Sequence, residues 1–170
     1  DSLLDSDDVR ACVSPGIRAR PRETGICYAA AVDLGFRHDF SALAIGHREA
    51  RREPDGHERD VAVLDCLCVA KPTKGRPLDP EATIAEFARV MRSYGVPTVG
   101  IDSFSRDLAT SRLRHFGVAA EEIKNDVGSQ SRRAELFMSK LRSRDIVLLD
   151  DEELLRELES LRMQLRAKGA

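Results

Sequence analysis

Apolar positions alternate with polar or small ones in three stretches of the first half of the chain: CYAAAVDLG at 27–35, HDFSALAIGHRE at 38–49 and DVAVLDCLCVAK at 60–71. A period of two, carried by β-branched and small residues, is the mark of strands. The short gap between the first two suits a hairpin, and the charged, Pro- and Gly-containing residues 50–59 suit a second turn. Three sequential antiparallel strands are the simplest reading. The period then changes. In EATIAEFARVMRSYG (81–95), Ile84, Phe87, Ala88 and Met91 fall at i, i+3, i+4 and i+7, which predicts an amphipathic helix closed by Gly95. VPTVGID (96–102) gives a fourth strand, and the helix before it makes a parallel pairing with the first strand the natural crossover. Helices are expected at 106–117 and 132–144, with AAEEIKND (119–126) a connector or short strand between them. A strand at 145–150 and a long last helix, striped by Leu154, Leu158, Leu161 and Leu165, complete the pattern.

Residues 1–24 show no sustained periodicity beyond one short amphipathic turn (Leu3, Leu4, Val9, Cys12), and read as a linker or inter-domain strap before a domain at 25–170. A chain of 170 residues has room for one such domain. With 42% hydrophobic and 33% charged residues it is too apolar for disorder, and no apolar stretch nears the ~20 residues of a membrane span. The absence of a starting Met and of a signal segment reads as a piece of something longer.

A net charge of -2 argues against coating nucleic acid by bulk charge. Four acids, however, lie in the first eight residues, and the rest of the chain is mildly basic. Cys12, Cys27, Cys66 and Cys68 show no CxxC spacing, so free thiols in a core are expected rather than a metal site or disulfides. The four histidines form no i, i+4 pair that would suggest zinc, and KPTKGRP lacks the spacing of a P-loop.

The chemistry concentrates in carboxylates. Asp33 ends YAAAVD and Asp102 ends PTVGID, each an acid at the C-terminal mouth of an apolar strand. A carboxylate at a core edge is costly unless paired, hydrogen-bonded or metal-bound, and for either acid alone a capping role is an even alternative. If the two strands pair in parallel, both acids emerge at the end of the sheet where ligands bind. Two convergent carboxylates make a hard-oxygen site suited to Mg²⁺ or Mn²⁺.

This order of elements resembles the RNase H-like nucleases and, more narrowly, the nuclease domain of phage terminase large subunits. The resemblance rests on Asp33, then Asp39 and SALAIG; on Asp102 closing a Gly-Ile-Asp strand; and on ELFMSKLRSRDIVLLDDEELLRELESL late in the chain. It covers residues 25 to 165 and implies an α/β fold: an RNase H-like mixed sheet of three antiparallel strands and then parallel ones, flanked by helices. It further implies a metal-dependent DNA endonuclease using two Mg²⁺ or Mn²⁺ ions, with Asp33 bridging both, Asp102 binding one and Asp39 an auxiliary acid whose role could equally be structural. The implied partners are double-stranded DNA, an upstream ATPase domain of the same polypeptide, a portal protein and a small terminase subunit, in the cytoplasm of a bacterial host. The family's third acidic ligand is expected beyond Ala170. Asp150, Asp151, Glu152 and Glu153 read instead as the first turn of the last helix, where acids meet the helix dipole.

Basic residues that could hold DNA phosphates fall in three groups: Arg37 and His38; Lys71, Lys74 and Arg76; and Lys124, Arg132, Arg133, Lys140, Arg142 and Arg144. Any one of them could equally be solvated surface charge. Aromatics, at 5%, are too few for a base-stacking platform, which favours contact with the duplex backbone. Other readings stay open: another RNase H-like nuclease of resolvase or integrase type, an actin-like phosphate-binding lobe, or a non-catalytic docking module using the Leu stripe.

Overall fold

The computed structural model describes residues 4–36, 39–102 and 106–161. The elements in chain order are α1 (Ser6–Ala11), β1 (Tyr28–Asp33), β2 (Ser41–Arg52), β3 (Glu58–Ala70), α2 (Pro80–Ser93), β4 (Thr98–Asp102), α3 (Arg106–His115), β5 (Ala119–Ile123), α4 (Val127–Ser143), β6 (Ile146–Val147) and α5 (Glu152–Ser160). The strands form one sheet in the order β5-β4-β1-β2-β3-β6. Here β2 runs antiparallel to β1 and β3, whereas β1–β4, β4–β5 and β3–β6 are parallel. This is the expected α/β arrangement, a mixed sheet of three antiparallel strands and then parallel ones flanked by helices, with 119–126 forming a fifth strand and its exit.

The α2 pattern buries as its spacing requires. Ile84, Phe87, Ala88 and Met91 pack with Val32, Leu43, Ile45, Val99 and Ile101 of the sheet and with Leu113 and Val118 around α3. Asp79 caps α2, its carboxylate accepting the Glu81 N–H at 3.0 Å, and Pro80 takes the first helical position, where its missing N–H costs nothing. A second core joins α1, α4, α5 and β6 through Leu4, Val9, Cys12, Leu141 and Leu148.

Residues 4–20 are therefore part of the packed body. Val13 pairs in parallel with Leu148, and the Arg20 guanidinium donates to the Leu64 carbonyl and to Ser14 Oγ, both at 2.7 Å. The α4 helix starts five residues before the expected boundary, because the Asp126 carboxylate accepts the Ser129 N–H at 2.9 Å and sets an N-cap ahead of the apolar positions. The β6 strand keeps two residues in ladder form, after which Leu148 and Leu149 turn inward and are buried. Of the Leu stripe, Leu154, Leu158 and Leu161 are described, and Leu165 lies outside the described residues. No helix among the described residues is long and apolar enough to cross a membrane.

A candidate metal site at the strand ends

Because β2 alone opposes the others, the C-terminal ends of β1, β3, β4, β5 and β6 open at the same end of the sheet. That topology gathers residues far apart in sequence. The β1–β4 register pairs Val32 with Ile101, and the next residue on each strand is Asp33 and Asp102. Val32 and Ile101 point into the α2 core, so the pleat turns both aspartates to the opposite face. Asp33 is exposed there and Asp102 half-buried.

Desolvation by the surrounding protein pushes the Asp33 carboxyl above its ordinary range. The charges of Asp102 and then Asp39 push it further, against a Leu34 N–H that favours the ionised form. Asp33 thus feels both of the acids with which the sequence grouped it. Among the described residues, no three His, Cys, Asp or Glu side chains converge tightly enough to hold an ion unaided. The donor set nevertheless fits a hard dication: carboxylates that raise one another's proton affinity are relieved by a shared positive charge.

Asp39 is positioned by the β1–β2 turn. Ser41, fully buried, donates through Oγ to the Gly35 carbonyl at 2.8 Å and accepts the Gly35 N–H at 3.2 Å, closing the turn from both sides. A Cβ on Gly35 would lie 2.6 Å from the Asp39 Cβ, so only glycine lets the two limbs approach. The Leu78 N–H donates to the Phe36 carbonyl at 2.9 Å and moors the loop after β3 to this turn. Ser41 and Gly35 escaped the sequence reading, although the spacing of six between Gly35 and Ser41 around Asp39 carried the signal.

The basic residues divide. Lys71 follows β3, and Lys74 and Arg76 lie on a tight turn in which Thr73 and Arg76 exchange backbone hydrogen bonds of 3.1 and 2.8 Å, all at the carboxylate end. Lys71 is paired with Glu153 of α5, which partly spends its charge. Lys124 follows β5 at the same end, and Arg133 donates to its carbonyl at 2.7 Å, with Arg132 beside it in α4. In contrast, Lys140 and Arg142 in the last turn of α4 and Arg144 at its C-cap lie at the far end, where Lys140 donates to the Asp60 carbonyl at 2.7 Å. Those three do not join the carboxylates. Arg37 and His38 lie outside the described residues. Asp151 is the N-cap of α5, accepting the Leu154 N–H at 2.8 Å, with Glu152 and Glu153 in the first turn, as expected.

Between the carboxylates and the far end, the face opposite α2 holds an open groove of about 850 Å³ floored by Ala29, Ala31, Ala44, Gly46 and Ala62. Its floor is apolar and small, and Ile26, Leu64, Ile146, His47 and Arg48 also line it.

No family model and no curated protein matches the chain. Solved structures do. The large terminase of bacteriophage HK97 superposes with a TM-score of 0.70 at 14% identity, covering 94% of this chain and 36% of that one. The nuclease domain of the Thermus phage P74-26 large terminase gives 0.67 at 14% identity, over 100% of this chain and 83% of that domain. The large terminase nuclease of the thermophilic phage G20c with bound magnesium gives 0.64 at 13%, over 94% and 79%. The chain therefore has the fold of phage large terminase nuclease domains and spans about a third of the length of the HK97 protein.

Proposed function

We propose that this chain is the nuclease domain of a viral large terminase, a metal-dependent endonuclease that hydrolyses phosphodiester bonds of double-stranded DNA. The observation that carries the reading is the pair Asp33 and Asp102, ending adjacent parallel strands on one face of a fold shared with such nucleases. Asp33 would hold both ions, Asp102 one of them, and Asp39 would assist from the turn. Two Mg²⁺ or Mn²⁺ ions would lower the pKa of an attacking water and stabilise the attacking and leaving oxygens.

The protein's own part is to hold the carboxylates aligned and to seat the DNA backbone. Lys71, Lys74 and Arg76 on one side, and Lys124, Arg132 and Arg133 on the other, flank the acids and would position phosphates without reading sequence. Arg37, adjacent to the same turn in sequence and outside the described residues, would add to this set. A third acidic ligand would come from outside the described residues. Within the larger assembly, an ATPase domain of the same polypeptide, a portal protein and a small terminase subunit would be partners, in the cytoplasm of the phage's bacterial host.

Nicking of supercoiled plasmid under Mn²⁺ or Mg²⁺ titration tests this. Cleavage that needs metal and disappears in both Asp33→Asn and Asp102→Asn supports it. Silence of the 170-residue chain with recovery in a chain extended past Ala170 places the third ligand there, and silence in both sinks the nuclease reading.

A further inference from the structure

Phe40 is 45% exposed at the carboxylate end of the sheet, where a chain poor in aromatics would be expected to bury its ring. It stands two residues before Ala42, the residue directly opposite Asp33. Two residues of backbone put at most about 7 Å between the Phe40 and Ala42 Cα atoms. The Lys71 ammonium sits over the ring, 5.0 Å from its centroid, and is itself held by Glu153. One face of the ring is thus occupied by a cation. Ser41, the next residue, is fully buried and clamped to Gly35, so the backbone that presents the ring is fixed.

We infer that Phe40 is a stacking seat for a single unpaired nucleobase beside Asp33, with Lys71 beneath the ring and Lys74 and Arg76 meeting the phosphates of the same strand. The ligand class rests on the nuclease reading above; the geometry does not. A lone ring is no platform for successive bases, but it takes one base whose planar face is free. A duplex keeps its bases stacked on one another, so the seat favours a strand that is locally unpaired, as at an end or a nick. A protein partner suits the patch less well: among the described residues its exposed apolar side chains are Phe40 and Val69, with Lys71 at the ring and Lys74 and Arg76 in the loop that follows, whereas protein interface cores are larger and poor in charge.

The sequence contains no Trp, so Phe40→Trp supplies a sole fluorescent reporter at the seat. With EDTA present, the 170-residue variant is titrated with a short single-stranded oligodeoxynucleotide, the same strand carrying abasic sites, and a blunt duplex. Saturable quenching by the intact strand, about tenfold weaker for the abasic strand, is expected. In parallel, Phe40→Leu and Phe40→Ala should bind a labelled single strand about tenfold more weakly than the native chain by anisotropy, with melting curves unchanged. Equal affinity of Phe40→Leu and the native chain, equal quenching by the abasic strand, or no binding of single strands at all would overturn the inference. Cleavage is not read here, so the two proposals fail separately: quenching without metal-dependent cleavage sinks the nuclease alone, and cleavage without quenching sinks the seat alone.

Discussion

His47 Nδ1 lies 2.6 Å from Asp65 Oδ2 in the interior of the sheet, and its Nε2 lies 3.1 Å from Glu49 Oε1. Both partners of the first bond are nearly sealed from solvent, with side-chain exposures of 5% and 2%. Burial disfavours the imidazolium, but the hydrogen bonds it donates to Asp65 and then Glu49, with their charges, outweigh it and hold the His47 pKa above its ordinary value. Tyr28 packs edge-on against the imidazole at 5.6 Å, closing the site from β1.

The sign of the pH effect follows. A histidine raised in the folded state contributes stability that is complete below the ordinary value of about 6.5 and is lost as pH rises through the raised value. Urea unfolding should therefore show the native chain losing stability across that window, with His47→Gln flat over the same range. Asp65→Ala, which leaves the buried imidazole with Glu49 as its one carboxylate partner, should cost about 3 kcal/mol. A native profile as flat as that of His47→Gln would contradict the ion-pair assignment.

At the carboxylate end, Asp33→Asn removes a charge that Asp102 and Asp39 both oppose. Without metal the variant should melt above the native chain, while plasmid nicking falls to background. Added Mg²⁺ should raise the melting temperature of the native chain and leave that of the variant nearly unmoved. A variant melting below the native chain would show that the acids do not repel one another.

Phosphate contacts have their own signature. Lys74→Ala and Arg76→Ala should each reduce the slope of log affinity for duplex DNA against log salt by about 1, weakening all sequences alike. Lys140→Ala, at the far end and bonded to the Asp60 carbonyl, should leave the slope as it is. Equal slopes for all three variants would detach the loop after β3 from the DNA.

Gly46 sits where the β2–β3 register shifts, and a Cβ there would lie 2.5 Å from the Val63 carbonyl oxygen. Backbone cannot yield as a side chain can, so Gly46→Ala should cost about 2 kcal/mol in denaturant unfolding. The same shift leaves Asp65 without a cross-strand partner and brings it inside to meet His47.

That bulge also explains what a period-two reading could not see. DVAVLDCLCVAK scans as an alternating strand, and Cys66 and Cys68 do share a face, their sulfurs 3.8 Å apart. Nothing in the alternation marks Asp65 as the extra residue, because the register shift exists only in the pairing of β3 with β2. Asp33 and Asp102 were legible because each ends an uninterrupted apolar strand, and the crossover rule then brings the two together. Lys140, Arg142 and Arg144 were not separable from Lys124, Arg132 and Arg133 by sequence, since one helix carries most of them and only its path across the sheet decides which end each reaches. Phe40 reads in the sequence as an ordinary strand residue, whereas in the fold it precedes β2 and stays exposed.

The single reversed strand has a further consequence. With five strands sharing one direction, the β2–β3 hairpin tip at 53–57 points the other way, and its surroundings spend their charges on one another: Arg48 on Asp60 at 2.9 and 2.8 Å, and Arg59 on Glu53 and Asp145 at 2.9 and 2.7 Å. The molecule therefore has a carboxylate pole and a handling pole. A fluorophore, an affinity tag or a whole inserted domain placed at 54–56 would ride on the handling pole, and a surface tethered through it would present the carboxylates outward.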